Sequence, residues 1–143
     1  MKTLIWKLIL PITLITFTLF TKWWYVLPED APDSMMLGFP IPYACTGWHT
    51  SMSLQIFLLE FLFDLFVYFI FWYLLVWLIR KYITPIKTNP IVTISLISVA
   101  SLCTLLLLFI AYWPDNIIKL KRSFKFEVHQ TGYKFIWEGS KRP

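Results

Sequence analysis

The stretch IFLLEFLFDLFVYFIFWYLLVWLI, residues 56–79, decides how this sequence is read. Its only charges are Glu60 and Asp64, and Arg80 and Lys81 follow at once. Crossing a hydrocarbon layer of about 30 Å takes about 20 residues of helix, and this run is long enough. Residues 4–20 and 91–113 form two further apolar runs, so the expectation is three transmembrane helices at about 4–20, 56–79 and 91–113.

Composition agrees. The chain is 58% hydrophobic, 20% aromatic and 15% charged, with a mean hydropathy of +0.65, against about 45–50% apolar and about 25% charged in soluble domains. The first run follows Lys2 and contains Lys7 and Pro11, as a secretory signal could. It ends in Phe20-Thr21-Lys22-Trp23-Trp24-Tyr25 without a small-residue cleavage site, which predicts an uncleaved anchor. Trp and Tyr favour the headgroup zone. Trp23, Trp24 and Tyr25 are therefore read as closing the first helix, Trp77 as marking the end of the second, and Tyr112 and Trp113 as closing the third. Asn89-Pro90 reads as a cap and first-turn proline, and Pro114 as a stop.

Lys and Arg in short loops are retained in the cytoplasm. Lys2, Lys7, Arg80, Lys81 and Lys87 fall on one side, whereas the loop 28–53 has no Lys or Arg and carries Glu29, Asp30 and Asp33. The expected location is the cell (inner) membrane, multi-pass, with a cytoplasmic N-terminus and an extracytoplasmic C-terminus. The basic tail, with Lys119, Lys121, Arg122, Lys125, Lys134, Lys141 and Arg142, runs against the charge rule: either the third helix does not fully cross, or the preceding helical hairpin has already fixed the topology, and the length of 91–113 favours the second.

In that tail Phe124, Phe126 and Val128 alternate with Lys125, Glu127 and His129, the period of a half-buried strand. Gln130-Thr131-Gly132 is read as a turn and 133–138 as a returning strand. The apolar segment 37–43 of the outer loop is expected to fold back onto the membrane interface or this hairpin. The fold class expected is thus an all-α membrane protein: a three-helix transmembrane domain over 1–113, with a small extracytoplasmic cap that includes a C-terminal β-hairpin in the polar tail 114–143.

Carboxylates inside a membrane helix are costly and mark candidate sites. Glu60 and Asp64 are four residues apart and share a helix face. At the depth of Asp64, Thr13 and Thr16 of the first helix and Ser101 and Thr104 of the third could donate hydroxyl hydrogens, while Lys22 at the rim could reach Glu60. Cys45 and Cys103 lie at depths too different for a disulfide. With His49 and His129 they match no zinc spacing, and no metal or cofactor is expected.

No phosphate loop, GxSxG elbow, HExxH or CxxC pair is present. Aromatics surround the second helix instead of lining one slot, and the membrane runs lack a His for haem. The isoelectric point of 9.3 reflects membrane flanks and tail, so nucleic acid is not an expected partner. The partners expected are the lipid bilayer and a membrane protein or a second copy. The function expected is a membrane accessory or interaction subunit without catalysis of its own. Two alternatives are an oligomeric proton or ion pathway using Asp64, and a lipid-acting enzyme at the outer leaflet using His49 or Glu60.

Overall fold

The computed structural model describes residues 2–29, 32–46, 53–122 and 124–138. It divides into two compact units, Met1–Thr18 with Leu65–Leu108, and Leu19–Asp64 with Phe109–Pro143.

Among the described residues three helices are long and apolar enough to cross a membrane by length and composition: α1 (Lys2–Leu19), α2 (Leu58–Tyr82) and α3 (Pro90–Ala111). Within α1, residues Ile5–Ile9 form a π-helical turn, and the N–H of Leu10 donates to Ile5 O. Pro11 is the cause: it has no N–H for the carbonyl of Lys7, and its ring would press on that carbonyl in a regular helix. A wider turn removes the conflict. In the first unit Leu4, Ile9 and Val76 are buried together against Phe69, Trp72 and Tyr73. Trp72 Nε1 donates to Thr16 Oγ1 at 3.0 Å, and the rings of Phe17 and Tyr68 meet edge to face at 5.4 Å. In α3 only Ala100 and Cys103 are buried. Its start is capped by Asn89 Oδ1, which accepts the N–H of Ile91 at 3.0 Å.

The second unit corrects the expected fold class. The chain is a mixed α/β protein with a six-stranded mixed sheet, not an all-α protein. The strands are β1 (Phe20–Pro28), β2 (Ser34–Leu37), β3 (Ala44–Thr46), β4 (Leu54–Phe57), β5 (Ile117–Lys119) and β6 (Phe126–Phe135), in the order β5-β4-β3-β2-β1-β6. Every neighbouring pair is antiparallel except β4–β5.

Three sequence features concealed the sheet. Trp23, Trp24 and Tyr25 lie in β1, because the aromatic residues that favour a membrane interface also favour strands. The apolar run that feeds α2 begins as β4, and periodicity does not separate a short buried strand from a helix. The expected C-terminal hairpin is a single strand: β6 runs through Gln130-Thr131-Gly132 without turning and pairs with β1 from Phe135 opposite Phe20 to Phe126 opposite Pro28. Gly132 serves close approach, not a turn, since a Cβ there would stand 2.6 Å from the indole of Trp23.

Laid flat, six strands would hold the outer two about 24 Å apart at about 4.8 Å per step. The connection 120–125 between β5 and β6 would then be almost taut at about 3.4 Å per residue. It is not taut: Leu120 O accepts the N–H of Leu59, and the N–H of Arg122 donates to Glu60. The sheet therefore curls, bringing its edge strands toward each other. Trp24, Met36, Cys45 and Gln55 form one row across the inner face by register. The core within the curl is Val26, Met36, Cys45 and Phe57, closed by Phe124 and Phe126.

Candidate functional site

Glu60 and Asp64 stand on the first two turns of α2, in the part of the helix that belongs to the sheet unit. Asp64 is fully buried and Glu60 is 9% exposed. A carboxylate in such a place must accept hydrogen bonds or remain costly, and each of these accepts from the backbone of a different loop.

Asp64 Oδ1 accepts the N–H of Ile41 at 3.2 Å. Ile41 lies in the tight link between β2 and β3, which is fixed from several directions. The N–H of Gly38 donates to Lys22 O at 3.0 Å and that of Tyr43 to Leu37 O at 2.9 Å. Trp24 Nε1 donates to Gly38 O at 2.9 Å. Phe39 meets the Tyr133 ring of β6, and Tyr43 meets Phe61 of α2 edge to face at 5.3 Å. Segment 37–43 is thus packed between β6 and the start of α2, which accounts for its apolar composition.

Glu60 Oε1 accepts the N–H of Arg122 at 3.3 Å, in the connection between β5 and β6. The Arg122 guanidinium itself lies over the Phe126 ring, 4.5 Å from its centre. The second oxygens of both acids, Glu60 Oε2 and Asp64 Oδ2, are buried without a hydrogen-bond partner among the described residues. Together the two acids fasten two loops to one helix turn.

The other residues singled out by sequence are placed as follows. Lys22, expected at Glu60, holds its ammonium 4.0 Å above the Trp24 ring and 5.6 Å from that of Tyr133. Thr13, Thr16, Ser101 and Thr104 belong to the helical unit, where Thr13, Thr16 and Thr104 donate to carbonyls four residues back in their own helices. Ser101 lines a groove of about 500 Å³ between α1 and α3, with Trp6, Leu10, Leu14, Ile97 and Ala100. Tyr25 donates to Asp33 Oδ2 at 2.5 Å, Trp77 lies under Lys81, and Tyr112 and Trp113 follow the end of α3. His49 lies outside the described residues. Among the described residues no three His, Cys, Asp or Glu gather as a metal-holding group.

Of the polar residues inside the sheet, sequence reasoning singled out Cys45 alone, and without a strand. Ser34, Cys45 and Gln55 share its inner face and are almost fully buried. Burial pushes the Cys45 thiol above its ordinary value, against the smaller opposing effect of hydrogen bonds with Ser34 and Thr46. That keeps it protonated and a poor nucleophile. Gln55 Oε1 has no partner among the described residues. Nothing in the sequence marks Ser34 or Gln55, or places Cys45 in a sheet, since each is an ordinary residue in a strand of three or four. Comparison of the chain with protein-family models, with curated proteins and with solved structures finds no match to any of them.

Proposed function

We propose that this chain is an integral membrane accessory or interaction subunit, without catalytic activity of its own, that holds a folded β-domain at the extracytoplasmic face. The observation that carries the reading is the uncovered apolar surface of α3. Ile91, Leu102 and Phe109 are each at least 60% exposed, and the hydroxyls of Ser95 and Ser98 are returned to their own helix carbonyls. Such a surface is at rest only in lipid or against other apolar helices, and small residues favour close helix approach.

Connectivity supports the side assigned to the β-domain. The end of α1, the start of α2 and the end of α3 all join strands of one sheet. If all three helices cross, the whole sheet lies on a single side, opposite Lys2, Lys7, Arg80, Lys81 and Lys87. The basic residues of the tail then belong to a folded sheet shared with the acidic loop, not to a free loop subject to the charge rule.

The test is gentle extraction of the tagged full chain at native expression into nanodiscs, followed by native mass analysis. A membrane protein in fixed stoichiometry is the expected result; a chain accompanied only by lipid would overturn the interaction reading.

Asp64 is fully buried and its Oδ2 has no hydrogen-bond partner among the described residues, which favours a second reading, an oligomeric proton or ion pathway. Asp64→Asn keeps the shape and an oxygen for Ile41 but removes the charge. Under the interaction reading, the variant assembles normally and its vesicles conduct as the parent does. Loss of a parental ion flux with assembly intact would instead establish the pathway.

A further inference from the structure

Strands β1 and β4 meet their helices without a linker. Phe20 opens β1 directly after Leu19 of α1, and Phe57 of β4 is followed at once by Leu58 of α2. These ends of the two strands mark one rim of the sheet. Both edge strands finish on the same rim: β5 is parallel to β4 with Lys119 opposite Phe57, and β6 is antiparallel to β1 with Phe135 opposite Phe20.

Hydrogen bonds fix the height of the chain just beyond each edge strand. Leu120 O accepts the N–H of Leu59 in the first turn of α2 at 3.0 Å, and the N–H of Ile136 donates to Leu19 O at 2.8 Å. Asn116 donates to Ile110 O near the end of α3 and accepts the N–H of Leu54 at 3.0 Å, which is three strand residues, or about 10 Å, from Phe57. From Asn116 the chain therefore turns back, and β5 carries it down to the rim.

The side chains set at that height are apolar and exposed. Leu120 is 65%, Ile136 52% and Trp137 68% accessible, and the Trp137 ring stacks on Phe135 at 4.8 Å. Lys119 and Lys121 flank Leu120. The other charges near the rim are engaged: Lys22 by Trp24 and Tyr133, Lys134 by Glu138, and Glu60 by the Arg122 backbone. The Arg122 guanidinium reaches away, to the ring of Phe126 opposite Pro28. At that far end stand the acids Glu29, Asp33 and Glu127, together with Lys125.

We propose that the rim is a lipid-binding surface, on which Leu120, Ile136 and Trp137 enter the adjoining leaflet and the ammonium groups of Lys119 and Lys121 bind phosphates of anionic glycerophospholipids. Trp favours that layer, a lysine stem lies along an apolar boundary while its charge meets a headgroup, and basic residues beside a membrane helix draw anionic lipid. The inference rests on the reading of the three helices as crossing a bilayer. It goes beyond the accessory role, because it names a lipid class that this surface holds with no protein partner. It also gives basic residues of the tail a purpose on the side where the charge rule does not expect them.

Nitroxide labels on the full chain, in nanodiscs of phosphatidylcholine with phosphatidylglycerol, test the seating. Cys45 and Cys103 are buried, so the label goes to an introduced thiol. At Leu120→Cys it should collide with oxygen and be shielded from an aqueous nickel chelate. At Val128→Cys it should be open to the chelate, because Val128 lies past the β-bulge at His129 and opposite Val26, six residues along β1 from Phe20 and so about 20 Å from the rim. Leu102→Cys, at an exposed position within α3, separates the two claims. A label in hydrocarbon there with Leu120 open to the chelate would overturn the seating alone, whereas Leu102 open to the chelate would overturn the membrane reading with it.

Native mass analysis of protein released from the same nanodiscs tests the charges. The parent should retain phosphatidylglycerol about threefold above its share of the bilayer. Lys119→Gln with Lys121→Gln should lose at least about half of that excess, the remainder being held by the basic residues at the opposite helix ends. Lys119→Arg with Lys121→Arg should keep it. An excess untouched by the glutamine pair, one lost with the arginine pair as well, or one displaced by inorganic phosphate would overturn the proposal.

Discussion

Gly38→Ala is expected to destabilise the sheet unit by about 3 kcal/mol or more, the sum of a backbone term and a steric term. Gly38 has φ of 149°, a conformation that side-chain-bearing residues rarely adopt. A Cβ at this position would also collide with the carbonyl oxygen of Ile41 and stand 2.7 Å from the amide nitrogen of Tyr43. Neither can retreat easily. The N–H of Ile41 is held by Asp64 and that of Tyr43 by Leu37 O. The Gly38 carbonyl meanwhile accepts from Trp24, so displacement of the loop should alter indole fluorescence as well as the thermal midpoint. A variant with the parental midpoint and spectrum would mean that the loop is not seated on α2 as described.

Phe57→Ala should cost about 3–5 kcal/mol, the usual range for deleting a fully buried ring. Phe57 is the largest fully buried side chain of the protein among the described residues. It sits where the curled sheet closes, in the core with Val26, Met36 and Cys45, and its ring meets Phe124 edge to face at 5.8 Å. Removing it leaves a void that the short strands cannot collapse into without losing their register. Phe57→Leu keeps most of the volume and should cost less than about 1.5 kcal/mol. Denaturant midpoints of the two variants in one detergent measure the difference; equal losses would show that volume in this core is not what holds the sheet.

The helices were legible in the sequence for a simple reason. Runs as long as Leu58–Tyr82 and Pro90–Ala111 exceed anything a soluble core asks of one segment, so composition alone identifies them. The strands were not legible, because the usual signal of alternation fails here. In β1, Trp23, Trp24, Tyr25, Val26 and Leu27 are apolar or aromatic on both faces, and β3 and β5 are three residues long. Strand β6 does alternate, and its alternation was visible over 124–129. The bulge at His129 then broke the rhythm, and the glycine beyond it resembled a turn. Its actual purpose, to admit the indole of Trp23, depends on a partner strand far away in sequence.

The acids divide in the same manner. Glu60 and Asp64 stood out as charges in an apolar run. Their partners did not, because a backbone N–H from Ile41 or Arg122 leaves no trace in residue type. Residue type points only to side-chain partners, of which Lys22 is the obvious cation, and Lys22 rests on Trp24.

The order of segments along the chain has a consequence for biosynthesis. Strands β1 to β4 are made before α2, whereas β5 and β6 are made after α3. Until translation passes Phe135, β1 has a neighbour on one side only, and the core around Phe57 lacks Phe124 and Phe126. The first four strands must therefore wait, incomplete, while two further helices are made. Unpaired edges and open cores are the species on which chaperones and proteases act. If α3 crosses a bilayer, as proposed, completion of the sheet reports that this helix has been inserted in the correct sense, since a tail left on the wrong side could never reach β1. A failed insertion would then be exposed to degradation by the absence of its own final strand.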